Sequence, residues 1–177
     1  MNKKFGILFR ISGLPGSGKT ELSKLIHPEI NKIFGPTIMW SGDDLRKIFN
    51  NQLFSLKERN KFGIQNINLI KLINTQKINV IFATVGLNNQ IRKRFNKEIP
   101  NYVEIIIKSQ LDHLKKRKVR KFYNNNSKNV WGRDIKVEYP KKPDVLIKND
   151  FKNDLRQIKL LTLDNLVKLK RLKNFIK

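Results

Sequence analysis

The stretch Gly13-Leu14-Pro15-Gly16-Ser17-Gly18-Lys19-Thr20 fits the pattern G-x-x-x-x-G-K-[S/T]. This pattern is informative only when a strand precedes it and a helix follows it. Phe5–Ile11 is a mostly apolar run of strand length, and Leu22, Leu25 and Ile26 follow at helical spacing. The stretch is therefore predicted to be a phosphate-binding loop between a buried strand and a helix.

The composition of this loop suits the binding of a nucleoside triphosphate. Its glycines permit dihedral angles closed to other residues, so that successive N–H groups can turn toward a phosphate at the positive end of the helix. Lys19 is predicted to reach the β- and γ-phosphates, and the Thr20 hydroxyl to complete a Mg²⁺ shell. The predicted ATP-binding residues are Gly13, Pro15, Gly16, Ser17, Gly18, Lys19 and Thr20, with Lys19 also catalytic. The alternative is a glycine-rich turn that binds nothing.

The rest of the chain alternates strands with helices, which predicts a parallel α/β sheet with helices on both faces. The fold expected is a three-layer α/β/α P-loop NTPase with a five-stranded, mainly parallel sheet, in a single domain over residues 1–177. Predicted strands are 5–11, 36–40, 78–85, 102–107 and 144–147; predicted helices begin at 21, 45, 56, 88 and 111, with a C-terminal helix over about 154–175. A break is predicted at His27-Pro28, and a lid loop over about 121–142.

The formal net charge is +24, from 38 Lys and Arg against 14 Asp and Glu. Nucleic-acid binding is one reading of this charge, but the basic residues are spread from end to end, which favours solvated faces and attraction for small polyanionic substrates. The absence of cysteine excludes disulfides and thiolate chemistry. No stretch is long enough to span a membrane, so a cytoplasmic protein is expected.

The stretch Ser41-Gly42-Asp43-Asp44-Leu45-Arg46 resembles the Asp-Gly-Asp-Asn-x-Arg signature of adenylylsulfate (APS) kinases. Three further stretches are similar to that family in order and spacing, namely Phe54–Asn60, Leu114–Tyr123, and Val130–Ile135 with Tyr139–Asp144. The resemblance covers nearly the whole chain up to about Asn149. It implies transfer of the γ-phosphoryl group of ATP to the ribose 3′-hydroxyl of a small anionic nucleotide derivative.

The resemblance also implies roles for individual residues. Asp43 matches the carboxylate that orients or deprotonates the acceptor hydroxyl beside the metal. Arg46 and Arg59 match arginines that hold the anionic acceptor, for which a planar guanidinium is suited. Arg117 matches an arginine packed against the ATP adenine, and Arg120 stands in place of a lid lysine near the phosphates. Phe54 and Trp131 are candidates for stacking on the acceptor base. Capping for Asp43, surface positions for both arginines and simple packing for Phe54 remain alternatives.

Several positions depart from the family pattern, and most of them lie on the acceptor side. Ser41 replaces the first Asp of the signature, Phe62 replaces an Asn, and Lys118 replaces an Asp in the lid. Thr84-Val85-Gly86-Leu87 replaces a Ser-Pro-aromatic-Arg segment, which removes an expected arginine. These changes suggest a different acceptor, such as the cytidine diphosphoramidate phosphorylated by related enzymes of capsule pathways.

Two other classes stay open at this point. A P-loop RNA-binding or regulatory protein would use the positive charge on nucleic acid. A nucleoside or polynucleotide 5′-kinase would need an uncharged acceptor pocket or a strand-tracking groove, whereas Arg46 and Arg59 favour a charged small acceptor. A homodimer is also left open, because the sequence does not specify the oligomeric state.

Overall fold

The computed structural model describes residues 1–116, 123, 127–152 and 154–176. Five strands form one sheet: β1 (Leu8–Gly13), β2 (Thr37–Ser41), β3 (Asn79–Thr84), β4 (Tyr102–Lys108) and β5 (Val145–Lys148). Their order is β2-β3-β1-β4-β5, and every pairing between neighbours is parallel. The predicted parallel sheet is therefore confirmed.

Within the described residues, six α-helices connect and follow these strands. They are α1 (Lys19–Phe34), α2 (Gly42–Ile48), α3 (Leu56–Thr75), α4 (Asn89–Glu98), α5 (Leu111–Lys116) and α6 (Leu155–Lys168), and a 3₁₀ segment follows over Lys170–Phe175. The C-terminal helix predicted as one element is thus divided into α6 and this shorter segment. The second half of the helix predicted from residue 111, including Arg117, Lys118 and Arg120, lies outside the described residues.

The helices cover both faces of the sheet, because successive strand residues point to opposite sides. Phe9 and Ile11 of β1 belong to a buried cluster with residues of α1 and α6. Leu8 of β1, together with Val80 and Phe82 of β3, packs in a second cluster with residues of α3 and α4. The result is the predicted three-layer α/β/α arrangement.

The break predicted at His27-Pro28 is wrong, since α1 continues through Pro28 to Phe34. Proline removes one helical N–H, which disfavours the helix locally. Ile26, Ile30 and Phe34 nevertheless recur every four residues and are all buried against the sheet. Burying each such side chain contributes about 1.5–3 kcal/mol, so packing outweighs the local preference.

The order of the strands places a binding crevice beside β1. After β1, the chain forms β2 and β3 on one side of that strand. It then crosses to the other side, where it forms β4 and β5. In open parallel sheets, ligands bind at the carboxyl ends of the strands where the order reverses in this way. Gly13 is the last residue of β1 and therefore lies at this point. Among the described residues, no helix has the length and apolarity needed to cross a bilayer.

Gly13 is closely surrounded, so we predict that Gly13→Ala destabilises the protein. A Cβ at this position would lie 2.5 Å from the Ile107 carbonyl oxygen and 2.7 Å from Ser17 Oγ. Overpacking of this kind costs about 1–3 kcal/mol, which chemical denaturation measures directly. Gly42→Ala is the matched control, because its nearest neighbour would be at an ordinary 3.4 Å. Equal unfolding free energies for the two variants would contradict the prediction.

Candidate active site

The predicted phosphate-binding loop lies between β1 and α1, as the motif requires. Gly16 and Gly18 have φ angles of 81° and 94°, in the left-handed region that favours glycine. The loop closes with a hydrogen bond from the Ser17 N–H to the Leu14 carbonyl oxygen at 3.1 Å. Helix α1 begins at Lys19, so its positive dipole end points into the loop. This geometry is suited to an anion.

A cavity of about 640 Å³ opens at the carboxyl edge of the sheet, next to this loop. Its volume is in the range typical of small-molecule sites. Among the predicted site residues, those that line it are Pro15, Gly16, Gly18, Lys19, Thr20, Asp43, Arg46, Phe54, Arg59 and Trp131. Gly13 and Ser17 are buried within the loop and do not line the cavity. Arg117 and Arg120 are outside the part of the chain that the structure describes.

Lys19 is buried beside the loop, with 9% of its surface exposed. Its Nζ donates a hydrogen bond of 2.7 Å to the carbonyl oxygen of Leu14. An ammonium group bonded to a neutral carbonyl can exchange that partner for a phosphate oxygen, which forms a stronger charge-assisted bond. The side chain is therefore held close to where a nucleotide phosphate would bind.

Asp43 lies on the first turn of α2, where the helix cap is made by other residues. Ser41 Oγ accepts the Asp44 N–H at 3.1 Å, and the Asp44 carboxylate accepts the Ser41 N–H at 2.8 Å. These bonds form a capping box and lower the pKa of Asp44. The capping role considered for Asp43 thus belongs to Ser41 and Asp44. The Asp43 side chain is exposed and lines the cavity.

Arg46 and Arg59 meet at the wall of the cavity and contact the same aromatic ring. Each guanidinium lies over Phe54, at 4.6 Å for Arg46 and 5.2 Å for Arg59. Arg59 also lies 5.7 Å from the Trp131 ring. Burial and the charge of Arg46 lower the pKa of Arg59 to about 10, while the Asp43 carboxylate raises it in part. Arg59 therefore stays cationic at neutral pH in a site that already holds another cation.

Both guanidinium groups donate to backbone carbonyls in this structure. Arg46 Nη1 donates to Leu53 O at 3.0 Å and Arg59 Nε to Phe54 O at 2.7 Å. Arg59 Nη2 also donates to Asn129 O at 2.9 Å, across a separation of 70 residues. These bonds fix the guanidinium groups in position, and the last one joins α3 to the segment 127–142, called the lid segment below.

The lid segment packs over the phosphate-binding loop. Trp131 is only 2% exposed and clusters with Leu14, Leu87 and Val130. Asp134 closes a tight turn by accepting the Val130 N–H at 2.9 Å. Tyr123, which precedes the lid segment in the chain, also contacts the loop, because its hydroxyl donates a hydrogen bond of 2.9 Å to the Pro15 carbonyl oxygen. The Trp131 ring, which was predicted to stack on the acceptor base, is therefore largely buried. The other residue predicted to stack there, Phe54, is 45% exposed.

Several residues of the cavity wall were not singled out from the sequence, among them Arg10, Asn66 and Asn149. Asn149 follows β5 and donates to Ser17 O at 3.1 Å, which supports the phosphate-binding loop. Its position directly after a predicted strand was a usable signal. Arg10 is fully buried in β1 and donates to Gly86 O at 2.5 Å, which holds the altered segment after β3. In the sequence, Arg10 is a single arginine within an apolar run, and nothing there indicates that it bonds to Gly86.

Comparison with known proteins agrees with this geometry. The sequence model of the family described as adenylylsulphate kinase matches residues 5–148. The cytidine diphosphoramidate kinase of Campylobacter jejuni is 28% identical over 151 residues, which cover 83% of this chain and 88% of the relative. A probable adenylyl-sulfate kinase of Archaeoglobus fulgidus is 27% identical over 149 residues, covering 81% and 96% of the two chains.

Solved structures show the same fold. The APS kinase of Mycobacterium tuberculosis, in complex with AMPPNP and APS, has a TM-score of 0.79 at 19% identity and covers 92% of this chain and 98% of its own. A thymidylate kinase of Ehrlichia chaffeensis has a TM-score of 0.51. Because the family match runs from the segment before β1 to the end of β5, the chain belongs to the adenylylsulfate kinase family and is a phosphotransferase.

Proposed function

We propose that the protein transfers the γ-phosphoryl group of ATP to the ribose 3′-hydroxyl of a small anionic nucleotide derivative. The observation that carries this proposal is that the phosphate-binding loop, Asp43 and the pair Arg46 and Arg59 surround one cavity. A donor site, a proton acceptor and an anion-holding pair are the parts that such a transfer needs.

In the proposed reaction the 3′-oxygen attacks the γ-phosphorus, and the bond from that phosphorus to the bridging oxygen of ADP breaks. Asp43 orients the hydroxyl and accepts its proton. Lys19 leaves the Leu14 carbonyl for the β- and γ-phosphates and neutralises the charge on the departing ADP. The lid segment covers the loop and keeps water from competing as the acceptor.

The residues present fit a Mg²⁺ ion. Thr20 and Asp43 lie on the first turns of α1 and α2 and line the same cavity. Within the described ranges, no cluster of three or more His, Asp or Glu suggests a site built from protein ligands alone. Mg²⁺ in kinases is typically held by one or two side chains together with substrate phosphates and water. Bound there, it would neutralise phosphate charge during transfer.

Two acceptors fit the proposal, adenylylsulfate and cytidine diphosphoramidate. The second is supported by the similarity to the Campylobacter jejuni enzyme. It is also supported by the apolar Phe62, whose ring lies 4.6 Å from the Arg46 guanidinium where the family pattern has a polar side chain. Thr84, Val85 and Gly86, which belong to the segment that departs from the family pattern, also line the cavity.

Release of ADP, measured with a panel of acceptors, tests the proposed function. We expect turnover with adenylylsulfate or cytidine diphosphoramidate, and little with plain nucleosides, because the arginine pair requires an anion. The same assay with added generic RNA tests the alternative of a nucleic-acid-binding protein. RNA binding with a steep salt dependence and no acceptor-dependent ADP release would contradict the kinase proposal.

We predict that Asp43→Asn lowers turnover by a factor of about 10² or more, since the amide cannot accept the hydroxyl proton. ATP affinity, measured by calorimetry, should stay close to that of the unchanged protein. Asp164→Asn is the control, because its carboxylate is exposed on α6 and pairs with Lys168. A variant that loses ATP affinity but keeps its turnover would show that Asp43 has only a structural role.

We predict that Arg59→Ala raises the KM for the acceptor about tenfold or more, because a hydrogen bond to a charged group contributes about 1.5–3 kcal/mol. It should also increase cleavage of the lid segment by protease, since the bond to Asn129 O is lost. Arg94→Ala removes only a partly exposed pair with Glu98 and serves as the control. An equal rise in the KM for ATP and for the acceptor would argue against an acceptor role.

A further inference from the structure

The cavity has an inner end that none of the roles above uses. It is lined by Arg10, Gly63, Asn66, Phe82, Ile91 and Phe95. All six are buried, whereas Asp43 and Phe54 at the outer rim are exposed. A ligand held at the rim therefore has room to extend one of its ends inward.

The inner end is built from the sheet and two helices. Phe82 of β3 and Arg10 of β1 are register partners and form the floor. The α3 residues that line the cavity are Arg59, Phe62, Gly63 and Asn66, a helical stripe that runs inward from the lid contact. Asn66 is seven residues from Arg59, which is about 10 Å along the helix axis. It is thus the innermost polar group that α3 contributes.

The guanidinium of Arg10 at the inner end is held by partners within the protein. Arg10 Nη1 lies 3.1 Å from Glu104 Oε1 and 3.3 Å from the Tyr102 hydroxyl. Arg92 is a second cation, 3.9 Å from the same carboxylate. The walls of the inner end are made of Phe82, Ile91 and Phe95, which carry no polar side-chain atoms. A polar group of a ligand that enters here therefore needs a hydrogen-bond partner on Arg10 or Asn66.

Asn66 carries an unsatisfied polar atom at this place. Its side chain is 3% exposed, and its Oδ1 has no hydrogen-bond partner among the residues that the structure describes. A buried amide oxygen without a partner is unfavourable, so natural proteins seldom keep one without a reason. A ligand that supplies an N–H donor would remove this cost.

On the basis of the proposed function, we propose that Asn66 binds an uncharged amino group of the acceptor at the inner end of the cavity and thereby selects amino-bearing acceptors. The amino group has two sources, the exocyclic amine of the base and the amine of a phosphoramidate tail. Both offer the N–H donor that Asn66 Oδ1 lacks. A sulfate tail and a base with a carbonyl in place of the amine do not.

The test measures binding to the full chain without ATP, using nucleotide pairs that differ at one amino-bearing position. Cytidine 5′-diphosphate against uridine 5′-diphosphate reports the base amine, and cytidine diphosphoramidate against cytidine 5′-diphosphate reports the tail amine. We expect the amino-bearing member of one pair to bind about tenfold tighter or more, and Asn66→Leu to abolish that preference while binding of the other member stays unchanged. The pair that responds identifies the source.

Asn66→Ala is a second variant in case the larger side chain disturbs folding, and Asn68→Ala, exposed on the same helix, is the control. The inference would be overturned if the Asn66 variants lost affinity equally for both nucleotides of each pair. It would also be overturned if the unchanged protein bound both nucleotides of each pair equally well. An Asn66-dependent preference without phosphoryl transfer would instead sustain the inference and refute the proposed reaction. Phosphoryl transfer without an Asn66-dependent preference would refute the inference and sustain the proposed reaction.

Discussion

Parallel pairing of β1 with β3, and of β3 with β2, brings the ends of three strands to one edge of the sheet. The phosphate-binding loop follows β1, Asp43 comes two residues after β2, and the segment Thr84–Leu87 begins where β3 ends. Because parallel strands share a direction, any residue placed just after a strand lies at this edge. The proposed donor and acceptor sites are therefore neighbours in space, although tens of residues separate their residues in the chain.

The two arginines at the cavity wall are held in position by neighbouring groups of the protein. Arg46 and Arg59 are fixed by backbone carbonyls and by the ring of Phe54, so little rotational freedom remains to be lost on binding. Burial, and after it the charge of Arg46, lower the pKa of Arg59, so a charged guanidinium is held here at a cost in free energy. The anionic acceptor that we propose would reduce that cost.

Donor and acceptor sides differ in how closely they keep the family pattern. The loop retains each residue that the phosphate chemistry requires, and its Gly13 has no room for a side chain. On the acceptor side, Phe62 and the segment held by Arg10 replace polar residues of the pattern. Phosphate geometry is the same in every kinase that uses ATP, whereas the acceptor varies, so the two sides are under different physical constraints.

The sequence by itself determined the class of fold, the loop and the residues on the rim of the cavity. Strands and helices are indicated by local apolar periodicity, and α3 begins at the predicted residue, Leu56. The local pattern gave a wrong prediction at Pro28, where it indicated a break in the helix. Burial of Ile30 and Phe34 outweighs the free-energy cost of a proline inside the helix.

Only the tertiary structure decided what the buried polar groups do. Nothing near Arg10 in the chain points to Glu104 or to the carbonyl of Gly86. Nothing near Asn66 shows that its amide oxygen has no hydrogen-bond partner among the described residues. The bond from Arg59 to Asn129 likewise joins residues far apart in the chain. Local residue order sets the backbone pattern, but hydrogen-bond partners at long range follow from how the helices pack on the sheet.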